Sequence, residues 1–297
     1  MKYASKLLLF GEHTVLKGSQ ALAMPFPRFF GQWRYNNAVD QRLVAFAAYL
    51  QEADFQRELK LADFKTDLYR GLYFDSNIPI GYGLGSSGAL CAALYDVYAY
   101  QKIPTTDAAR FQEVRNILAQ MERFFHGASS GTDPLISYLR QPVLIHPHGQ
   151  IAAVSLPGFS PDFTLFLLDT GIARQASEWI HFFSEKCKDA ATGKAVDEAL
   201  VPAVNGAIQA FLAANWIACS DAIVRISHLQ FTHFREMIPL PFQKLWQQGL
   251  DTALFSLKLC GAGGGGFILG CTQDWQGFQA LLKSNGIEAY LRINSID

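Results

Sequence analysis

Pro79-Ile80-Gly81-Tyr82-Gly83-Leu84-Gly85-Ser86-Ser87-Gly88-Ala89 is the stretch on which the reading of this chain turns. It is a glycine-rich loop that runs straight into a helical pattern, with Leu90, Ala93, Leu94, Val97 and Tyr98 as its apolar positions. Glycine lets a backbone turn tightly and come close to a ligand. A helix start presents unpaired N–H groups and the positive end of the helix dipole, so phosphate is its natural guest. The adjacent serines add hydroxyls suited to phosphate or Mg²⁺. The loop is neither the G-x-x-x-x-G-K-[ST] pattern nor a dinucleotide G-x-G-x-x-G in its usual setting. On its own it leaves an ordinary glycine-rich turn as the alternative.

Working outward, the spacing predicts a buried strand over 3–10, two extended pieces within 21–35 punctuated by Pro25 and Pro27, and a helix over 38–53. Residues 66–76 read as a strand. A helix beginning near Thr106-Asp107 uses Phe111, Val114, Leu118, Met121 and Phe125 and stops at Gly127, and 128–134 reads as a polar loop. A hairpin is expected around His148-Gly149. Pro157-Gly158 and Ser160-Pro161 then mark a domain boundary, giving expected domains of 1–157 and 158–297. The second half reads as a strand over 163–169, helical stretches at about 174–189, 196–230 and 241–256, then a strand at 267–271, a helix around 275–285 and a strand around 287–293. Strands and helices mixed in both halves predict an α+β architecture.

Two further features carry chemistry. Gly261-Ala262-Gly263-Gly264-Gly265-Gly266 is rich in the residue that loses most backbone entropy on ordering. Phe255, Leu257 and Leu259 precede it and Phe267-Ile268-Leu269 follow. It therefore reads as a turn inside a core that approaches a ligand or a neighbouring loop. Glu122 and Asp133 span a helix end and a small-residue loop. They could converge as one metal ligand and one proton acceptor, although spacing alone favours two solvated surface acids. Lys6 is a charge in a leucine-rich strand, where it must snorkel outward or meet an anion. His13 follows Glu12 in a turn. His126, His146, His148, His181, His228 and His233 show no metal-ligand spacing and read as structural, while Asp40 and the acids within 52–67 read as solvated.

The composition narrows the field. The 297 residues carry 25 Lys+Arg against 26 Asp+Glu, a net charge of −1. That excludes proteins that hold nucleic acid or anionic membranes through massed cations. It does not exclude a triphosphate, because backbone donors and helix dipoles never enter a formal charge count. Half the residues are apolar and 17% are charged, which excludes a disordered chain. Cys91, Cys187, Cys219, Cys260 and Cys271 are odd in number and form no C-x-x-C pair. This argues against a disulfide framework or zinc site and fits a reducing cytoplasm. No signal-peptide core or apolar run of about 18 residues is found. A homodimer is the base-rate expectation.

Three stretches occur in order: Lys6-Leu7-Leu8-Leu9-Phe10-Gly11-Glu12-His13, the 79–89 loop, and Lys258-Leu259-Cys260-Gly261-Ala262-Gly263-Gly264-Gly265-Gly266. Together they resemble the three motifs of the GHMP kinases, and the resemblance spans residues 6 to 266. Gly11-Glu12-His13 and the stretch from Glu122 to Asp133 look most like the mevalonate kinase branch. The resemblance implies an N-terminal ribosomal-protein-S5-domain-2-like domain and a C-terminal ferredoxin-like domain, with the active site in the cleft between them. It implies ATP and Mg²⁺ as cofactors and a small-molecule alcohol as substrate, mevalonate first, with phosphomevalonate, homoserine or a sugar as alternatives. A catalytically inactive relative is the non-enzyme alternative. Asp133 matches the base that takes the substrate hydroxyl proton, and Lys6 its cationic neighbour. Glu122 and Ser87 match the Mg²⁺ ligands. Gly83, Leu84, Gly85, Ser86, Ser87 and Gly88 would wrap the triphosphate, and Glu12, His13, Gly261, Ala262 and Gly263 would meet the substrate. The sequence departs from the pattern at Tyr3-Ala4-Ser5, where a small residue, Pro and Gly usually precede the lysine. It departs again at Gly88, where alanine is usual, and at Cys260, where threonine or serine is usual.

Overall fold

A computed structural model describes residues 1–158, 160 and 162–293. The chain divides into two compact units. The first comprises Met1–Leu7, Met24–Pro79 and Leu84–Val143; the second comprises Leu8–Ala23, Ile80–Gly83 and the chain from Leu144 onward. Pro161, part of the expected Ser160-Pro161 break, lies outside the described residues.

Strands β1 (Tyr3–Phe10), β2 (Ala21–Tyr35), β3 (Leu72–Ser76), β4 (Val143–Ile145) and β5 (Ile151–Ala153) form one sheet. Its order is β1-β2-β4-β5, with β3 also pairing β2. The β2–β3 ladder is antiparallel and runs from Gly31 opposite Ser76 to Tyr35 opposite Leu72. β2 is one strand where the sequence suggested two pieces. Pro25 and Pro27 are two apart, so their missing N–H groups fall on the same side of the strand.

Helices α1 (Gln41–Glu52), α2 (Leu61–Tyr69), α3 (Ser86–Tyr98), α4 (Phe111–His126) and α5 (Thr132–Leu139) belong to the first unit. Three readings need correction here. The predicted strand over 66–76 is the end of α2 followed by β3. Leu61, Phe64 and Leu68 bury one helical face, and Gly71 at φ 92 turns the chain between the two elements. The predicted loop at 128–134 ends in the first turn of α5. Asp40 is a cap rather than a solvated acid, since its Oδ1 accepts from Arg42 N and Leu43 N at 3.0 and 3.1 Å. Helix α3 is buried almost all round, from Gly88 through Tyr95. That is the pattern of a central helix, and α4 and α5 both pack on it.

In the second unit β6 (Thr164–Asp169), β7 (Phe255–Leu259), β8 (Phe267–Thr272) and β9 (Tyr290–Ile293) form a sheet of order β7-β8-β6-β9. All its pairings are antiparallel, and β8 is paired along its whole length, from Thr272 opposite Thr164 to Phe267 opposite Asp169. Its helices are α6 (Ala176–Lys186), α7 (Ala190–Ala195), α8 (Val201–Leu212), α9 (Trp216–His233), α10 (Leu240–Thr252) and α11 (Trp275–Ser284). The expected stretch 196–230 is thus several elements. A π-turn over Val196–Leu200 leads into α8, and Asn215 caps α9 by accepting from Ala218 N. The expected helix to 256 stops at Thr252, where Ala253 takes φ 54 and the chain enters β7. The α+β expectation holds for the chain.

Candidate active site

In the first unit, β1 places Lys6 beside Asp133 in the first turn of α5. Their Nζ–Oδ1 distance is 3.0 Å, with side chains 10% and 31% exposed. The leucine-rich strand can carry this lysine because its charge meets a carboxylate. Lys6 N also donates to Leu84 O at 2.9 Å, which ties β1 to the glycine loop. Gly85 takes φ 74 immediately before α3, and a methyl group there would stand 3.1 Å from Asp133 Cβ and 3.2 Å from Lys6 Cγ. Only glycine fits both that backbone angle and that proximity. No side chain caps the start of α3, so no side chain competes there with an anion for its first N–H groups.

At the second residue of α3, Ser87 Oγ donates to Glu122 Oε1 at 2.8 Å. Ser129 Oγ donates to the other oxygen, Oε2, and accepts from Gly131 N at 2.9 Å. The Ser129 loop therefore holds Glu122 and the N-terminus of α5 in one hydrogen-bonded unit. His126 Nε2 lies 2.9 Å from Ser87 Oγ. With the single Ser87 proton committed to Glu122, that bond needs Nε2–H as donor. His126 therefore belongs to the site and is not merely structural as its sequence spacing suggested.

Glu122 is buried, and its carboxyl is pushed up to about 7. Burial is the main cause and the Asp133 charge adds to it; the two serine hydrogen bonds and Lys6 oppose the shift. A carboxyl whose folded pKa exceeds its unfolded value gives stability that is present at low pH and lost as pH rises through the folded value. The metal-free protein should therefore gain thermal stability as pH falls from about 8 towards about 5. Glu122→Gln should flatten that part of the profile, as checked by melting temperatures across the range for both proteins. A slope identical in the variant would show that Glu122 is not its source.

The same buried carboxylate tests whether the site suits a divalent cation. A carboxylate oxygen and a hydroxyl oxygen are hard donors of the kind Mg²⁺ accepts, and the ion's charge would favour the ionised carboxylate. Among the described residues no group of three or more His, Cys, Asp and Glu side chains could hold a metal.

In the second unit, Glu12 and Lys258 form an ion pair with side chains 1% and 0% exposed. His13 takes φ 60 and its ring stacks on Phe183 at 4.7 Å. Its Nε2 is 3.0 Å from Ala262 O. A carbonyl only accepts, so Nε2 carries the proton, and Nδ1 is buried with no partner. Burial pushes the His13 imidazolium down to about 4, so the ring is neutral near pH 7.

The Gly261–Gly266 run is a core turn, not a linker: Gly264 N donates to Met237 O and Gly266 N to Ile172 O, both at 2.7 Å. It also packs on the first half of the 79–89 loop, since a methyl group at Gly266 would stand 2.8 Å from Tyr82 O.

The sequence reading missed Arg174. Methyl groups at Gly83 and Gly261 would stand 2.5 and 2.7 Å from its Nη2, so the guanidinium lies between the two glycine loops. Its backbone N donates to Gly81 O at 3.0 Å. An open cavity of about 520 Å³ is lined by Arg174, Ala173, Glu178, Trp179, Gly81 and Gly264, among others. Nothing in the local sequence marks Arg174. Its position follows from the chain leaving β6 beside both loops.

Residues 42–141 match the family GHMP kinases N terminal domain. That stretch of the chain is similar to the GHMP kinases. It is 26% identical to the mevalonate kinase of Pyrococcus abyssi over 45% of this chain, and the match spans 47%, about half, of that relative's length. The structure is similar to that of L. major mevalonate kinase in complex with R-mevalonate, with a TM-score of 0.69 and 16% identity over 98% of this chain and 94% of the other. It is also similar to Streptococcus pneumoniae phosphomevalonate kinase in complex with phosphomevalonate and AMPPNP, with a TM-score of 0.63 and 15% identity over 99% of each chain. At these identities the likeness to the two structures establishes the GHMP kinase fold and not the acceptor. No helix among the described residues is long and apolar enough to cross a membrane.

Proposed function

We propose that the protein is an ATP- and Mg²⁺-dependent small-molecule kinase that phosphorylates mevalonate to 5-phosphomevalonate. The observation that carries this reading is the Lys6–Asp133 pair at 3.0 Å with Gly85 packed against both side chains. A base, a cation and a glycine-turned helix N-terminus then lie together in the first unit. Phosphoryl transfer asks chiefly for positioning and charge stabilisation, and those are the parts it uses.

Asp133 would accept the proton of the attacking hydroxyl. Lys6 occupies Oδ1, leaving Oδ2 for the acceptor, and the side chain is exposed enough to be reached. Lys6 would stabilise negative charge on the phosphoryl group in flight, and the N–H groups at the start of α3 would hold the polyphosphate. Glu122 and Ser87 would hold Mg²⁺, which when bound neutralises phosphate oxygens. His126 and Ser129 would orient those two ligands through the hydrogen bonds described above.

In the second unit Arg174 is the cation of the cavity wall, with Glu178 as the acid. A single guanidinium suits an acceptor with one carboxylate better than one that also carries a phosphate. This favours mevalonate over phosphomevalonate. A coupled ADP-release assay with a panel of mevalonate, phosphomevalonate, homoserine and galactose tests the reading, and turnover is expected with mevalonate. Turnover with another member only would overturn the acceptor and keep the kinase. Stabilisation by MgATP with no turnover on any acceptor would favour an inactive ligand-binding relative.

A further inference from the structure

The Glu12–Lys258 pair is shielded from water on all sides, and the chemistry above makes no use of it. Lys258 also donates to Leu259 O at 2.8 Å, and its ammonium stands 5.6 Å from the Phe10 ring centroid. Taking two charges out of water is costly, and a well-packed apolar pair of the same volume is often as stable. Stability alone therefore does not account for the pair.

Its placement does. Glu12 precedes His13 in the turn that follows β1. Lys258 lies on β7, just before the loop that contains Ala262. The ion pair and the His13–Ala262 hydrogen bond are thus two successive clamps between the same two segments. They are needed because His13 sits at φ 60, which a non-glycine residue rarely adopts without outside support. Each clamp alone leaves a pivot, whereas two fix both the turn and the ring. Met237 and Ile172 anchor the far side of the glycine loop through the Gly264 and Gly266 bonds, and on the near side His13 holds Ala262 O while Arg174 donates to Cys260 O and Leu259 N donates to Gln230.

We propose that Lys258 is a positioning residue for the acceptor: acting through Glu12, it locks the Gly11–His13 turn and the Nε2–H bond of His13 to Ala262 O, and so helps set the shape of the 261–263 segment. Its link to the acceptor rests on the kinase reading above; its effect on His13 does not. Lys258 does not touch the reacting atoms. Its loss should therefore weaken acceptor binding far more than nucleotide binding.

Two variants test this. Lys258→Met leaves Glu12 buried without its cation and could fail to fold. Glu12→Gln/Lys258→Met removes both charges while keeping the volumes, so it serves as the folded control. In the double variant, melting should return near the parent value. The acceptor KM should rise about tenfold or more while the MgATP KM stays within about twofold. The ¹⁵N spectrum of the His13 imidazole, assigned by its absence in His13→Gln, should change from a single Nε2–H tautomer to an averaged signal. A double variant with the parent's His13 spectrum overturns the proposal, because the pair would then be structural only. An altered spectrum with an unchanged acceptor KM overturns the acceptor role. If the parent protein phosphorylates no acceptor, the kinase reading fails, and the His13 spectrum alone decides whether Lys258 positions the turn.

Discussion

Asp133→Asn is expected to lower kcat by about 10²- to 10⁴-fold, the range over which a positioned general base contributes. Asparagine is nearly isosteric and can still accept a hydrogen bond from Lys6 through its amide oxygen, so the loop and α5 should keep their places. What it cannot do is take a proton from the attacking hydroxyl. Lys6 also loses its charged partner, so some affinity for the triphosphate could change while binding itself survives. The measurements are single-turnover and steady-state rates by ADP release, together with nucleotide binding followed by thermal shift. Loss of turnover with retained MgATP stabilisation is the expected pair of results. Near-parent kcat would remove Asp133 from the role of base.

Gly88→Ala should have a second large effect, opposite to what local propensity suggests. Alanine is favoured over glycine in a helix by about 1 kcal/mol, and alanine is the residue the GHMP pattern usually places here. In this chain, however, a methyl group at position 88 would stand 2.7 Å from Pro134 N and 2.9 Å from Asp133 C. Both are backbone atoms that cannot rotate away, so α3 and α5 would have to separate. Overpacking of this kind costs about 1–3 kcal/mol, enough to outweigh the propensity gain. The displaced element carries Asp133, whose carboxylate must stay in register with Lys6. The expected result is a lower melting temperature and a fall in kcat/KM together, measured on purified protein by thermal unfolding and the coupled assay. A variant with raised stability and unchanged kinetics would show that α5 has room to move.

Much of this is legible in the sequence alone. The glycine loop at 83–88 announced a tight turn into a helix, because glycine at that density is costly unless the backbone needs it. Lys6 in a leucine strand had to snorkel outward or meet an anion, and the structure gives it Asp133. The 261–266 run read as a core turn from the apolar residues on both sides of it. Asp133 reads from the sequence as a loop residue, whereas the chain forms α5 there. The short polar sequence Ser129 to Thr132 carries no apolar period, and the helix is specified by Leu135, Ile136, Tyr138 and Leu139, which are buried only through packing against the rest of the unit.

His126 and Arg174 show why other parts were not legible. Each is one of several similar side chains, and neither lies at a spacing that marks it. His126 gains its role because it lies one helical turn beyond Glu122, on the face towards Ser87, a neighbour 39 positions away. Arg174 gains its role because two glycine loops far apart in the chain leave room for its guanidinium.

By itself, then, the sequence determined which residues could do chemistry and which segments had to turn: lysine, carboxylates, serines and glycines in a fixed order. Residue type sets charge, proton affinity and the φ angles a backbone can take, and all three are local. Only the tertiary structure decided which of these groups meet. It brought Lys6 to Asp133 and Ser87 to Glu122 in one unit, and Glu12 to Lys258 and His13 to Ala262 in the other. Those pairings depend on burial and on the elements between them. Burial is also what pushes Glu122 up and His13 down, shifts that neither residue's sequence neighbours could have revealed.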